Sequence, residues 1–338
     1  MYKRLLRVFE SVYSSQRKSH WFYSKYSKYD SITSLDVWTD IQFLQGFIRW
    51  LSGQNDDKNL CHVIKLALLN KACSSGSEEC ALFLLSEGAT PDRETPFRVV
   101  KGGSVSVLRK LLEYDVTQTA RLDWSRSPHK GLATNINVLQ EACLFGREEM
   151  VTMLYNTYPH LVHDTDDEGH STLHHVTLTG NCDIFKTVER VVLKSLYRVE
   201  DEHHKCKTVE GRVVHRNCVC VQYVCQLVGK YGGETVLHYS CYGGRMEVCK
   251  YLCKSYPALT TAVDNDGYHC LHYIARFTSD VDLFTECETH VKQYLESTGC
   301  KYDITTILTD QGESVLDFAE KQTEDWGTED WTWGTENK

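Results

Sequence analysis

Gly233-Glu-Thr-Val-Leu-His238 and Gly267-Tyr-His-Cys-Leu-His272 decide how this chain is read. Their Leu-His pairs stand 34 residues apart, and a third copy, Gly169-His-Ser-Thr-Leu-His174, places Leu173 34 residues after Leu139. A fixed period near 33 residues marks a stacked repeat, in which each unit leans on its neighbours and no single central core exists. Working outward, anchors fall at Leu69, Phe97, Leu139, Leu173, Leu237 and Leu271, with Leu316 opening a terminal half-unit. Seven residues past the anchors come Gly76, Ser104, Gly146, Gly180 and Gly244, with Thr278 the departure. A second apolar stretch follows: Leu84-Leu85, Leu111-Leu112, Val151 with Leu154, Ile184 with Val188, and Val248 with Leu252.

Each feature has a physical reason. Glycine ahead of the signature opens a tight turn. The Ser or Thr after it caps the first helix by accepting backbone N–H groups that lack an intrahelical partner. Small or apolar residues three and four places past the anchor, such as Ala142 with Cys143 and Ser240 with Cys241, let neighbouring helices approach closely. The second apolar stretch buries helix two. One such hairpin cannot hide its apolar face alone, so stability comes from stacking.

On these residues, over roughly 60 to 320, the chain resembles the ankyrin repeat family. The resemblance implies an all-α solenoid of helix-turn-helix repeats with hairpin tips. Residues 1–59 are then a basic arm and an amphipathic capping helix, 60–196 repeats one to four, and 197–232 a Cys/His-rich insertion. Residues 233–320 are repeats five and six plus the half-repeat, and 321–338 an acidic, Trp-containing disordered tail. An alternative makes 197–232 a degenerate repeat, since the anchor spacing there exceeds one period by nearly another.

The capping expectation rests on Val37, Ile41, Leu44, Phe47, Ile48 and Leu51 at helical spacing. The basic arm before them, +5 over residues 1–30, leaves membrane-surface contact through residues 1–51 as the sharper alternative. Residues 117–135 are expected as a surface loop. Within the insertion, Thr208–Val214 and Val219–Val224 alternate and are rich in valine, which predicts a small hairpin or finger.

The net charge of −9 disfavours nucleic acid as a partner. No run of eighteen apolar residues predicts a membrane span. Fifteen cysteines without a secretion signal read as reduced thiols in a cytoplasmic protein. Cys73, Cys143 and Cys241 share one repeat slot and are expected as buried core thiols.

Three chemistries are weighed. A zinc module is the reading of His203, Cys206, Cys218 and Cys220, although Cys218-x-Cys220 is not the usual ligand spacing. Cys–His catalysis finds no residues that packing leaves unexplained, and no cofactor motif occurs, so no enzyme and no cofactor are expected. His174, His238 and His272 are read as bridges between backbone groups of neighbouring turns.

Binding is the third, and the resemblance locates it on the tips and the exposed side of helix one, which in such stacks line a concave groove. The helix residues are Leu144, Phe145, His175, Leu178 and Tyr239, then Tyr242, Tyr273, Arg276 and Phe277. The tip residues are Asp166, Asp167, Asp264 and Asp266. An acidic rim beside aromatics suits a basic protein or peptide with apolar anchors. The expected function is a non-catalytic interaction module or scaffold. Its rivals are a regulatory adaptor, such as a ubiquitin-ligase substrate receptor or the cytosolic part of a channel or receptor, and the zinc module on residues 203–225.

Overall fold

The computed structural model describes residues 40–53, 58–123, 134–196, 208–209, 212–213, 219–230, 232–278 and 280–324. The basic arm, the tail beyond Glu324, and His203, Cys206 and Cys218 lie outside them, while residues 321–324, expected in the disordered tail, continue the last helix. The chain divides into two compact units, residues 1–122 and 123–338.

The first unit opens with α1 (Ile41–Gly53), which presents Leu44, Phe47, Ile48 and Leu51 to the interior. That is the apolar stripe read from the sequence, and it packs on α3. Two helical hairpins follow, α2 (Lys58–Ser74) with α3 (Glu78–Ser86) and α4 (Thr95–Gly102) with α5 (Val105–Leu111). Leu69, Ala72, Leu84, Val100, Leu108 and Leu111 are fully buried between them. The unit ends in α6 (Val116–Thr119), and β1 (Arg121–Asp123) follows. The expected loop at 117–135 is therefore corrected for its first residues, because Thr117 and Ala120 are fully buried and the Thr117 hydroxyl donates to the Leu111 carbonyl.

In the second unit, β2 (Thr134–Asn137) leads into α7 (Val138–Leu144) and α8 (Glu148–Thr157). Next come α9 (Thr172–Thr177) with α10 (Cys182–Leu196), then the antiparallel pair β3 (Thr208–Val209) and β4 (Arg212–Val213). The second stretch expected as extended is instead helix α11 (Val219–Gln226). A short β-branched run satisfies either period, and Val224, fully buried in α11, belongs to the helical one. The repeats resume with α12 (Val236–Tyr242) and α13 (Met246–Ser255), then α14 (Cys270–Phe277) and α15 (Val281–Ser297), and α16 (Val315–Glu324) ends the described chain. First helices pack on first helices, α7 on α9, α9 on α12, α12 on α14 and α14 on α16, while second helices join alongside.

The turns ahead of the first helices share one construction. Backbone bridges close Thr165 onto Ser171, Val228 onto Thr235, Val263 onto His269 and Leu308 onto Ser314. Successive tips are then tied to each other: Lys230 N–H donates to the Glu168 carbonyl at 2.6 Å, Asn265 to Gly232 at 2.8 Å, and Asp310 to Asp266 at 3.0 Å. Two tip glycines are required by this closeness. Gly169 and Gly267 hold φ near +80°, and a Cβ on either would lie 2.6 Å from the backbone nitrogen of Lys230 or Asp310.

Candidate protein-interaction face

The signature histidines are structural. The Nδ1 atoms of His174, His238 and His272 accept from the N–H of Ser171, Thr235 and His269 at 3.0, 3.0 and 2.9 Å. His174 Nε2 also reaches the Glu234 carbonyl at 3.1 Å, which joins its hairpin to the following one. Gln140 does the same work in α7: its Oε1 accepts from Asn137 N–H at 2.8 Å and its Nε2 donates to the Asp164 carbonyl at 3.0 Å. Burial pushes His174 down to about 3, with His170 and His175 adding to it, and pushes His238 and His272 down to about 4. All three are neutral caps of their own helices, and the bridge to a neighbouring turn is made by His174.

Three residues expected on the exposed face are withdrawn from it. Asp166, His175 and Tyr239 are buried, at 4%, 1% and 7% exposure. The Asp166 carboxylate accepts from the His170 N–H at 2.8 Å, and its second oxygen lies 3.3 Å from His170 Nδ1 and 3.2 Å from His175 Nε2. The Tyr239 hydroxyl lies 2.8 Å from His170 Nδ1, and Glu234 approaches Nε2 of the same ring at 3.6 Å. Burial works against charge on His170, but the carboxylates of Asp166 and Glu234 prevail and raise it to about 9. The same pairing holds Asp166 well below the usual carboxylate range despite its burial. An inward-turned carboxylate that neutralises a buried imidazolium is unavailable to a partner. His170 and Glu234 were missed by the sequence reading; a titratable residue directly after or shortly past a tip glycine was the available signal.

The remaining residues divide by place. Tyr242, Tyr273 and Phe277 form one aromatic group: Tyr242 and Phe277 meet edge to face at 4.8 Å between centroids, and Tyr273 lies 5.8 Å from Phe277. Arg276 joins them, its guanidinium 5.2 Å from the Phe277 ring and 5.6 Å from Tyr268. Tyr268 in turn packs on Phe318 of α16 at 5.4 Å. The group is anchored from behind by His238, which stacks on Tyr273 at 5.0 Å. Phe277 remains 45% exposed, which is unusual for phenylalanine at the end of a helix whose other apolar residues are buried. Leu178 is half-buried beside Gly243, next to Tyr242, while Leu144 and Phe145 are half-buried one hairpin earlier at the end of α7.

The tip carboxylates lie ahead of these helices. Tyr273 donates its hydroxyl to Asp264 at 2.8 Å, so the ring group and the tip are in direct contact. Asp167 and Asp266 are exposed, and Asp167 accepts from Asn135 at 3.0 Å.

Residues 232–265 match the family model described as Ankyrin repeat. The same capped first helix, second helix and bridged tip recur around that match, so residues 232–265 are an ankyrin repeat within an all-α fold of similar hairpins. Among solved structures, it is similar to the crystal structure of the human ASB11 ankyrin repeat domain, at 16% identity over 74% of this chain and 90% of that one, with a TM-score of 0.43. No curated protein matches the sequence. Among the described residues, no helix is long and apolar enough to cross a membrane.

Proposed function

We propose that this chain is a non-catalytic protein-interaction module that works in the cytoplasm. Its binding face is the ring group of Tyr242, Tyr273, Arg276 and Phe277 with the carboxylates of Asp264 and Asp266 beside it. Leu178 extends the same patch. The observation that carries the reading is the direct contact of Tyr273 with Asp264, which sets an apolar surface and an acidic tip side by side. Aromatic side chains supply large contact area at low entropic cost, and an acidic rim adds steering towards a basic segment. The partner is a protein or peptide carrying Lys or Arg next to an aromatic or leucine anchor. Ankyrin repeats generally mediate protein–protein interaction, and the wholly structural use of the signature histidines supports a binding rather than a catalytic role.

The experiment is a fluorescence screen of the full chain against peptides that combine Lys or Arg with Phe, Tyr, Trp or Leu, with acidic peptides as the control. The best peptide is then measured against Tyr242→Ala with Phe277→Ala. Affinity at least tenfold weaker, with unchanged circular dichroism, supports the face. Equal affinity in the double variant, or preference for acidic peptides, overturns it.

A further inference from the structure

The last two full hairpins bring cysteines together from different helices. Cys241 of α12, Cys249 of α13 and Cys287 of α15 are buried, and their three Sγ atoms all lie within 4.8 Å of one another. Cys241 and Cys249 are 3.8 Å apart. Thiolates bound at about 2.3 Å to one tetrahedral zinc ion stand about 3.8 Å from each other.

Packing alone does not explain this convergence. The slot that Cys249 fills is Val151 in α8, Phe185 in α10 and Leu283 in α15, so larger apolar side chains satisfy it elsewhere. Cys143 occupies the same slot as Cys241 two hairpins earlier, and there its neighbour is Val151. No carboxylate or imidazole joins the three thiols in this group, and the Ser240 hydroxyl lies 3.1 Å from Cys249 Sγ. Soft thiolates without carboxylates select a d¹⁰ ion such as Zn²⁺.

We infer that Cys241, Cys249 and Cys287 form a zinc-binding site that ties α12, α13 and α15 together. Binding releases one proton from each coordinating thiol, and no oxidant or reductant is involved. The metal would cross-link the two hairpins of which the first carries the family match, and so would stiffen the part of the stack that presents Tyr273 and Phe277. This site differs from the one expected around His203, Cys206, Cys218 and Cys220.

The test uses the reduced, metal-free full chain titrated with Co²⁺ and then Zn²⁺. One equivalent of Co²⁺ giving a thiolate charge-transfer band, displaced by Zn²⁺, with a higher Tm, is expected. Cys249→Val, a replacement that the equivalent slot accepts as Val151, should lose both band and Tm shift, and Cys143→Ala should keep them. Absence of the band in the wild-type chain overturns the proposal. So does its survival in Cys249→Val, which would place the metal among the other cysteines. Recovery of a Cys241–Cys249 disulfide by mass spectrometry, with no bound metal after reduction, overturns it as well.

Discussion

The hydroxyl of Tyr239 lies 2.8 Å from Nδ1 of His170, a contact that joins α12 to the tip ahead of α9. It completes a closed group in which Asp166 and Glu234 balance the charge of His170 and the tyrosine supplies a neutral partner. Tyr239→Phe keeps the ring volume and removes only the hydroxyl. A hydrogen bond to a charged group contributes about 1.5–3 kcal/mol, so the variant should lose about that much in urea unfolding. A loss below about 0.5 kcal/mol would mean the hydroxyl is dispensable to the group.

The histidines set a pH profile whose two arms have opposite signs. His170 is raised from 6.5 to about 9, so its contribution is complete below pH 6.5 and is lost as pH rises through 9. His174, His238 and His272 are lowered to about 3, 4 and 4, so their contribution is complete above pH 6.5 and fades as pH falls towards 4. Stability should therefore peak near pH 6.5 to 7, fall on the acid side, where three groups act together, and fall on the alkaline side, where buried thiols such as Cys143 and Cys249, whose ionisation burial opposes, add to His170. Urea midpoints measured from pH 4.5 to 8.5 would check this, and His170→Gln should lessen the fall between pH 7 and 8.5, below the range of the thiols, while leaving the acid arm in place.

A second buried carboxylate tests a different balance. Glu189 of α10 accepts from the hydroxyls of Tyr251 and Tyr256, each at 2.5 Å, and burial raises its carboxyl despite those bonds. Tyr256 is fully buried, so Glu189→Ala removes a charged acceptor from its hydroxyl and should cost about 1–3 kcal/mol. Glu189→Gln keeps an acceptor, removes the buried charge and should stay within about 1 kcal/mol of the parent chain. Equal losses in the two variants would show that packing, and not the hydroxyl partners, governs this position.

The repeat period exposed most of the fold because it records a constraint that the four full hairpins of the second unit obey: a leucine, small or apolar residues behind it and a histidine or glutamine directly after it. Leu139, Leu173, Leu237 and Leu271 are all buried as that constraint requires. What the period could not show was direction at the tips. Asp166 and Asp264 occupy equivalent places, yet the first is buried against His170 and His175, whereas the second is half-buried and accepts from the Tyr273 hydroxyl. Tyr239 and Tyr273 are equivalent as well, and one is buried against His170 while the other reaches Asp264. The thiol cluster was hidden for a related reason. Cys241, Cys249 and Cys287 fill three different slots, so no single recurring position gathers them.

The tip ladder offers a backbone test. In Gly267→Ala the new Cβ meets the Asp310 nitrogen at 2.6 Å and must sit at φ +80°. Left-handed geometry alone costs an alanine about 1–2 kcal/mol, and parting the two tips weakens the Asp310 to Asp266 bond as well. The expected loss is about 2–4 kcal/mol, while Gly312→Ala, with nothing within 4 Å of its added Cβ, should show only the strain of positive φ. Similar losses at both glycines would show that the tips can part freely.

The stacking principle itself is tested by one residue type in one slot. Leu271 and Leu316 are equivalent anchors, but Leu271 is fully buried and Leu316 is 48% exposed. The difference follows from what comes next: α15 folds back on α14, whereas α16 has no second helix after it among the described residues. Truncation of a buried leucine removes its transfer energy and leaves a cavity, so Leu271→Ala should cost about 2–5 kcal/mol. Leu316→Ala removes a side chain that still meets water and should cost less than about 1 kcal/mol. Unfolding curves for the two variants decide the matter. A large loss at Leu316 would mean that another part of the chain covers α16, and the last hairpin would then have to be redrawn with a second helix.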